Sequence, residues 1–143
     1  MKEIKVKKIR SNAVLPSYAH IDDAGMDVFS SIEKRIEPGE VALIPIGVAV
    51  EIPNGFEIQI RPKSGLALKY GITILNTPGT IDSGYRGEIG VIIINHGKKT
   101  FLVTEGMKIA QMVLCKYERI QFVESDLLTE TERNAGGFGS TGI

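Results

Sequence analysis

Residues 132–142, Glu-Arg-Asn-Ala-Gly-Gly-Phe-Gly-Ser-Thr-Gly, combine groups that hold a phosphate chain with a ring that can stack on a base. Arg133 supplies a cation, Ser140 and Thr141 supply hydroxyls, and Phe138 supplies the ring. Because ordering glycine costs much conformational entropy, this segment is unsuited to a core. It is either a strap that orders over a nucleotide or an ordinary frayed end, and composition alone favours the frayed end.

A second group of polar residues, Arg61-Pro-Lys-Ser-Gly-Leu-Ala, stands where a predicted strand gives way to a short helix. The free N–H groups at a helix N-terminus attract anions, and Lys63 and Ser64 would reinforce that attraction. The alternative, equally favoured by this segment, is a helix capped by Ser64 and flanked by solvated charges.

A turn-rich loop runs from Asn76 to Glu88 and carries an amide, a carboxylate and a ring. Asn76 can donate and accept hydrogen bonds together, which suits reading a base edge. Asp82 is a candidate general base if it can reach a water molecule, and Tyr85 supplies the ring. The alternative is that Asn76 and Asp82 only form turns, and that Arg86 and Glu88 form an exposed ion pair.

Two further polar features have alternative interpretations. Asp22, Asp23 and Asp27 fall within six residues, and could bind a hydrated divalent cation or form a plain acidic loop. The spacing of an EF-hand is absent, so the acidic loop is favoured. Gln111 lies in an apolar segment and is either a phosphate donor or a satisfied buried amide.

Composition narrows the class of protein. The 143 residues are the length of a single domain, and 17 basic residues balance 17 acidic ones. A net charge of zero argues against general affinity for nucleic acid or anionic membranes. The single Cys115 excludes an intrachain disulfide, and two separated histidines make a zinc site improbable. With no signal segment and no long apolar run, we expect a cytoplasmic protein.

The elements that must position these residues are mostly strands, because apolar residues recur with a period of two. The predicted strands lie near residues 4–9, 41–50, 56–61, 89–94, 101–103 and 109–116, and the one short helix covers Ser64–Tyr70. Pro45 and Gly47 interrupt the second run, which indicates an edge strand or a bulge. We therefore expect an all-β fold, an antiparallel sandwich or barrel such as a jelly roll. The unbroken apolar run Ile89–Ile94 suggests cover on both faces, which a second copy of the chain could supply.

Five segments, in this order, resemble the motifs of the homotrimeric dUTPases (deoxyuridine triphosphate nucleotidohydrolases). The segments are Ala24-Gly-Met-Asp27, Arg61-Pro-Lys-Ser-Gly-Leu-Ala67, Leu75-Asn-Thr-Pro-Gly-Thr-Ile-Asp-Ser-Gly-Tyr-Arg-Gly-Glu88, Gly106-Met-Lys-Ile-Ala-Gln111 and Arg133-Asn-Ala-Gly-Gly-Phe-Gly-Ser-Thr-Gly142. Together they reach from Ala24 nearly to the end of the chain. One departure is Lys63, where the family usually has Arg, which keeps the charge but loses the two-pronged guanidinium.

The resemblance implies a role for each site residue. Asp82 would activate the water that attacks the α-phosphorus of dUTP, and Asp27 would act through water on the Mg²⁺ that the triphosphate chelates. Tyr85 would lie against the deoxyribose and exclude a 2′-hydroxyl, and Phe138 would cover the uracil. The implied substrate-binding set is Lys63, Ser64, Gly65, Asn76, Gly79, Thr80, Ile81, Tyr85, Gln111, Arg133, Phe138, Gly139, Ser140 and Thr141.

The resemblance also implies an architecture and a biological role. It implies a jelly roll with one short helix and a flexible C-terminal tail, a single domain over 1–143 in which 121–143 form the arm and Gly-rich tail. Three copies would share their active sites, with no direct binding of nucleic acid or membrane. The products would be dUMP and pyrophosphate, so that uracil is kept out of DNA and dUMP is supplied for thymidylate synthesis.

Two rival functions remain at this point. A dCTP deaminase has a similar fold, but the complete fifth segment and Asp82 favour phosphate hydrolysis. A nucleotide-sensing or protein-binding module needs neither an intact Asp82 nor an intact tail, and this chain has both.

Overall fold

The computed structural model describes residues 3–142, and that range holds eleven strands and one helix. The elements are β1 Lys5–Lys8, β2 Met26–Phe29, β3 Lys34–Ile36, β4 Val41–Pro45, β5 Val48–Glu51, β6 Phe56–Arg61, α1 Ser64–Tyr70, β7 Ile72–Ile74, β8 Gly79–Ile81, β9 Gly90–Asn95, β10 Phe101–Val103 and β11 Lys108–Lys116. The predicted all-β class with one short helix is confirmed. The predicted domain ends, residues 1 and 143, lie outside the described range.

The strands form four antiparallel sheets. A four-stranded sheet has the order β2-β11-β6-β8 and a three-stranded sheet has the order β4-β9-β7, while β1 pairs with β5 and β10 pairs with β3. Branched apolar side chains from both larger sheets, such as Ile44, Ile58, Ile93 and Ile109, meet in one core. These β-branched residues favour strands and pack well on a pleated surface. The four-stranded sheet carries the segments that matter for function.

Helix α1 covers the predicted residues, but its cap differs from the prediction. Lys63 occupies the N-cap position and makes no side-chain capping bond, so the prediction that Ser64 caps the helix was wrong. The helix ends at Gly71, whose φ of 69° is in the left-handed region that glycine adopts without strain. A Cβ at Gly71 would lie 2.7 Å from the backbone nitrogen of Gly97, so the close approach also requires glycine.

Three strand predictions need correction. The apolar run 41–50 is two strands in different sheets, β4 and β5, separated at Gly47, where φ is 76°. Strand β1 was expected to be half-buried, but all four of its residues are exposed because it pairs only with β5. Strands β2, β3, β7 and β8 are each three or four residues long, too short for the alternation to predict.

The three-stranded sheet has one buried face and one apolar face that the single chain leaves partly uncovered. In β9, buried Val91 and Ile93 alternate with half-buried Ile92 and Ile94. Neighbouring Leu43 on β4 is 66% exposed. We call Val41, Leu43, Ile92 and Ile94 the outer apolar face. In residues 3–142, no helix is long and apolar enough to cross a membrane.

Candidate active site

A polar pocket of about 330 Å³ gathers residues from three of the five segments. It forms because β2, β11 and β6 are neighbours in the four-stranded sheet, so that the start of α1 lies beside the first and fourth segments. The lining residues are Ala19, Asp23, Ala24, Gly25, Asp27, Lys63, Ser64, Gly65 and Gln111. Five of the predicted site residues therefore lie around one cavity.

Asp27 is the charged centre of this pocket and is held by two lysines. The Lys108 Nζ atom lies 2.7 Å from Asp27 Oδ2, and Lys63 forms an ion pair with Oδ1. Burial raises the pKa of Asp27, but the hydrogen bonds from Lys108 and Lys63 outweigh it, so the pKa lies below the ordinary value of 3.8. The carboxylate is thus ionised and bonded to two cations, and because Asp23 also lines the pocket, these four side chains carry no net formal charge.

Gln111 is fixed at the back of the pocket. Its Nε2 atom donates to the Pro62 carbonyl oxygen at 2.9 Å. One of its two amide protons is therefore satisfied, as the second interpretation of Gln111 predicted. A Cβ on Gly25 would lie 2.4 Å from Gln111 Oε1. Only glycine at this position therefore lets the backbone just before β2 lie so close to the Gln111 side chain. The side chain is held in one orientation beside Lys63, where its second amide proton remains for a ligand.

The loop with Asp82 lies elsewhere in the single chain. It follows β8, which is at the opposite edge of the four-stranded sheet from β2. Asp82 is exposed, and its carboxylate makes no hydrogen bond within residues 3–142. Its backbone oxygen accepts the N–H of Tyr85 at 3.0 Å, so Asp82 also forms a turn as the alternative proposed. A free carboxylate is thus presented on a hydrogen-bonded turn.

The start of the same hairpin presents backbone and one amide. Gly79, Thr80 and Ile81 pair with β6, opposite Ile60, Gln59 and Ile58. Asn76 is exposed, and a Cβ on Gly79 would lie 3.2 Å from its Nδ2 atom. The small residue at this position therefore keeps space for the Asn76 amide beside β8.

Tyr85 is tied to the end of the loop. Its hydroxyl donates to the Glu88 backbone oxygen at 2.9 Å. The predicted ion pair between Arg86 and Glu88 was wrong, since Glu88 pairs with Arg10, whose Nε lies 2.5 Å from Oε1. Arg86 Nη1 instead donates to the Ser83 oxygen at 2.6 Å. Bonding to Arg10 lowers the pKa of Glu88 below 4.5, so this carboxylate is ionised.

The tail is bonded only to itself in the described chain. Arg133 Nε donates to the Gly136 oxygen at 2.9 Å, and the Ser140 N–H donates to the Gly137 oxygen at 3.0 Å. Phe138 is fully exposed, with a φ of 49°. The tail residues that the sequence placed on substrate, Arg133, Phe138, Gly139, Ser140 and Thr141, therefore do not line the pocket within one chain. The flexibility of the tail stays a prediction.

Sequence reasoning missed two charged residues here. Lys108 lies within the fourth segment, two residues after Gly106. That place in the segment could have marked it as a candidate site residue. Arg10 lies outside all five segments, and nothing in the sequence pairs it with a residue 78 positions away.

An antiparallel all-β fold with a polar pocket and a separate loop bearing a free carboxylate defines a class of small nucleotide-handling protein. The model of the dUTPase family matches residues 11–142, so the chain belongs to the dUTPase family. The chain is 59% identical, over all of its own length and 99% of the relative's, to the deoxyuridine 5'-triphosphate nucleotidohydrolase of Alkaliphilus metalliredigens.

Two solved structures have the same fold. The dUTPase of Staphylococcus bacteriophage 80alpha with dUpNHpp superimposes with a TM-score of 0.93 at 28% identity and covers 100% of both chains. A dUTPase from phage phi11 of S. aureus, described as coordinating a structural Mg(II) ion, has a TM-score of 0.84 at 27% identity and covers 90% of this chain and 100% of its own. The jelly-roll-like fold predicted from the resemblance is confirmed.

Proposed function

We propose that this protein hydrolyses dUTP to dUMP and pyrophosphate by attack of water on the α-phosphorus. The observation that carries the proposal is the pocket around Asp27, where Lys63, Ser64 and Gln111 converge at the start of α1. Cations, a hydroxyl and unshielded backbone N–H groups are the donors that phosphate chains need.

The residues around this pocket hold the phosphates. Lys63 and Lys108 supply positive charge, and Asp27 keeps both lysines oriented while no ligand is bound. Ser64 and Gly65 offer a hydroxyl and a backbone N–H at the first turn of α1. Gln111 offers the amide proton that Pro62 does not use. Because phosphoryl transfer depends on positioning and charge neutralisation, these contacts supply most of the binding energy for the phosphates.

Asp82 is the general base. Its free, exposed carboxylate takes a proton from the attacking water as the new bond to the α-phosphorus forms. The bond from that phosphorus to the bridging oxygen breaks, and pyrophosphate leaves. A carboxylate with no hydrogen bond to any of residues 3–142 keeps both oxygens available for this water.

The hairpin recognises the nucleoside. Asn76 and the backbone of Gly79, Thr80 and Ile81 read the uracil edge, and leaving those groups unpaired rejects cytosine. The Tyr85 ring lies against the deoxyribose and blocks a 2′-hydroxyl. The bond from the Tyr85 hydroxyl to Glu88 supports a fixed ring position.

The active enzyme is a homotrimer in which each site is shared. Three features of the single chain support this assembly: the outer apolar face, the distance in the sheet between the hairpin and the pocket, and an exposed apolar arm. The exposed residues of that arm are Ile120, Phe122, Val123, Leu127 and Leu128. The domain covers residues 1–143, and the arm and tail, 121–143, cross to a neighbour. There Arg133, Gly139, Ser140 and Thr141 contact phosphates and Phe138 covers uracil.

Mg²⁺ is the proposed cofactor, bound with the triphosphate. The residues fit a hydrated ion, since Asp27 uses two of its carboxylate lone-pair sites for lysines and keeps others for a metal-bound water. Within residues 3–142 no group of three or more His, Cys, Asp or Glu side chains could hold a metal. When bound, the ion would neutralise phosphate charge. We also propose a cytoplasmic location, because the substrate is a free nucleotide.

A pyrophosphate-release assay with dUTP, dTTP, dCTP and UTP, each with Mg²⁺, tests the proposal. We expect turnover of dUTP alone, because the hairpin selects the base and Tyr85 selects the sugar. Release of ammonia from dCTP would identify a deaminase instead, and turnover of none of the four would favour a binding module.

A further inference from the structure

Tyr85 rests on a support made by three other residues, which we call the Tyr85 support: Arg10, Gly87 and Glu88. The Tyr85 hydroxyl donates to the Glu88 backbone oxygen at 2.9 Å. The ring lies directly against Gly87, where a Cβ would be 2.4 Å from the Tyr85 hydroxyl oxygen and 2.6 Å from Cζ. Any other residue at position 87 would therefore displace the ring.

Glu88 is itself held from the N-terminal part of the chain. Arg10 Nε and Nη2 lie 2.5 Å and 3.2 Å from the two carboxylate oxygens. This is a two-point guanidinium–carboxylate pair, which fixes orientation as well as distance. The Gly47 backbone N–H also bonds to the carboxylate. Glu88 is thus connected to two segments that lie far from it in sequence.

The neighbouring backbone is anchored at the same place. The Arg10 N–H donates to the Gly47 oxygen at 3.3 Å, and the Ile89 N–H donates to the Val48 oxygen at 2.9 Å. By contrast, the bonds of Arg86 reach only the oxygens of Ser83 and Tyr85, inside the loop. The Tyr85 support therefore connects the part of the loop that follows Tyr85 to strand β5 and to the N-terminal segment that carries Arg10.

We propose that Arg10, Gly87 and Glu88 are positioning residues that set the sugar selectivity of the enzyme by holding the Tyr85 ring in place. The inference rests on the proposed function, in which Tyr85 excludes a 2′-hydroxyl. Steric exclusion of one oxygen atom requires a ring that does not yield, because a small shift opens room for it. Loosening the support therefore raises acceptance of UTP, while the phosphate pocket stays intact. Arg10 lies outside residues 11–142, to which the family model extends.

Selectivity measurements test this inference. The ratio of kcat/KM for dUTP to that for UTP is measured for the wild type and for Gly87→Ala, Arg10→Met and Glu88→Gln. We expect the ratio to fall about tenfold in Gly87→Ala and about threefold in the other two, since misplacing a positioning group costs such factors. The double variant of Arg10→Met and Glu88→Gln should be no worse than either single one, because both break one pair. Arg10→Lys, which keeps one charged bond, should recover part of the ratio.

A matched control comes from strand β3. Lys34→Met breaks the surface ion pair between Lys34 and Glu40, whose atoms are 3.5 Å apart, and neither residue bonds to the loop that carries Tyr85. The control should keep the wild-type ratio. A second readout, the Kd for UMP divided by the Kd for dUMP, both measured by calorimetry, should fall in the same variants without depending on turnover.

The results separate the inference from the proposed function. An unchanged ratio in folded variants, or equal losses on both substrates, would overturn the role in selectivity. Should Gly87→Ala fail to fold, Tyr85→Phe removes only the hydroxyl bond to Glu88 and must lower the ratio. Failure of the proposed function itself is seen in the wild type, which would then release no pyrophosphate from dUTP.

Discussion

Lys108 and Asp27 lie on neighbouring strands, and the Lys108 Nζ atom is 2.7 Å from Asp27 Oδ2. Lys63 approaches the other oxygen of the same carboxylate from the start of α1. One anion therefore bonds to two cations, which offsets the repulsion between the two lysines beside the pocket.

The pH dependence of stability follows from this arrangement. The pKa of Asp27 is lowered in the folded protein, so its contribution is complete above the unfolded pKa of about 3.9 and is lost as pH falls through the lower folded value. Asp27→Asn should reduce the free energy of unfolding by about 1–3 kcal/mol at pH 7. Urea unfolding from pH 6 down to pH 2.5 checks this, and the difference from wild type should shrink as the pH falls below the unfolded pKa. A difference that stays constant over this range would contradict it.

Removing Lys108 should weaken substrate binding more than it slows chemistry. Lys108→Met removes one of the two cations that bond to Asp27 and leaves that carboxylate to Lys63 alone. We expect the KM for dUTP to rise about fivefold, with kcat within about twofold, since a contact shared by ground and transition states acts on KM. Lys116→Met, at the other end of β11, is the matched control. A loss confined to kcat would assign Lys108 to the chemical step.

Asp82→Asn should remove turnover and keep binding. The amide is similar in size but cannot accept the proton of the attacking water, and a general base contributes about 10²–10⁴-fold. Steady-state pyrophosphate release gives kcat, and calorimetry with dUpNHpp gives the affinity. Glu105→Gln, an exposed carboxylate in another turn, should leave both unchanged. Full activity in Asp82→Asn would refute the assignment of the base.

Deleting residues 133–143 should lower turnover without lowering the thermal midpoint. The described residues of this segment bond only to one another and, through Asn134, to Thr131 in the arm, so the core does not depend on them. Closure of the tail excludes water from the site, and we expect a loss of about 100-fold in kcat/KM without it. A full-length tail with Arg133→Ser and Phe138→Ser tests whether these two side chains carry the effect. Normal turnover in the truncated protein would contradict the hypothesis that the tail orders over the bound nucleotide.

The outer apolar face should hold the trimer together. Leu43→Asp places a charge among Ile92, Ile94 and Val41, where a neighbouring chain would have to bury it without a partner. Light scattering at micromolar concentration should give a trimeric mass for the wild type and a monomeric mass for this variant. Leu102→Asp, on an exposed position of β10, should remain trimeric. A monomeric wild type would rule out the assembly.

The sequence by itself determined the class of fold and the local chemistry. Alternation of apolar residues predicted β6, β9 and β11, and the helix over Ser64–Tyr70 was predicted to the residue. Membership of the dUTPase family was also predictable, because it rests on short motifs whose residues lie close together in the chain.

Only the tertiary structure decided which distant residues meet. The pairing of β2 with β11 brings Lys108 to Asp27, and the return of the N-terminal segment brings Arg10 to Glu88. Neither pairing could be predicted from composition or from the period of the apolar residues. Nothing in the sequence distinguishes this lysine and this arginine from the other exposed cations of the chain. Register and strand order arise from packing the whole core, and they fix such ion pairs as a consequence.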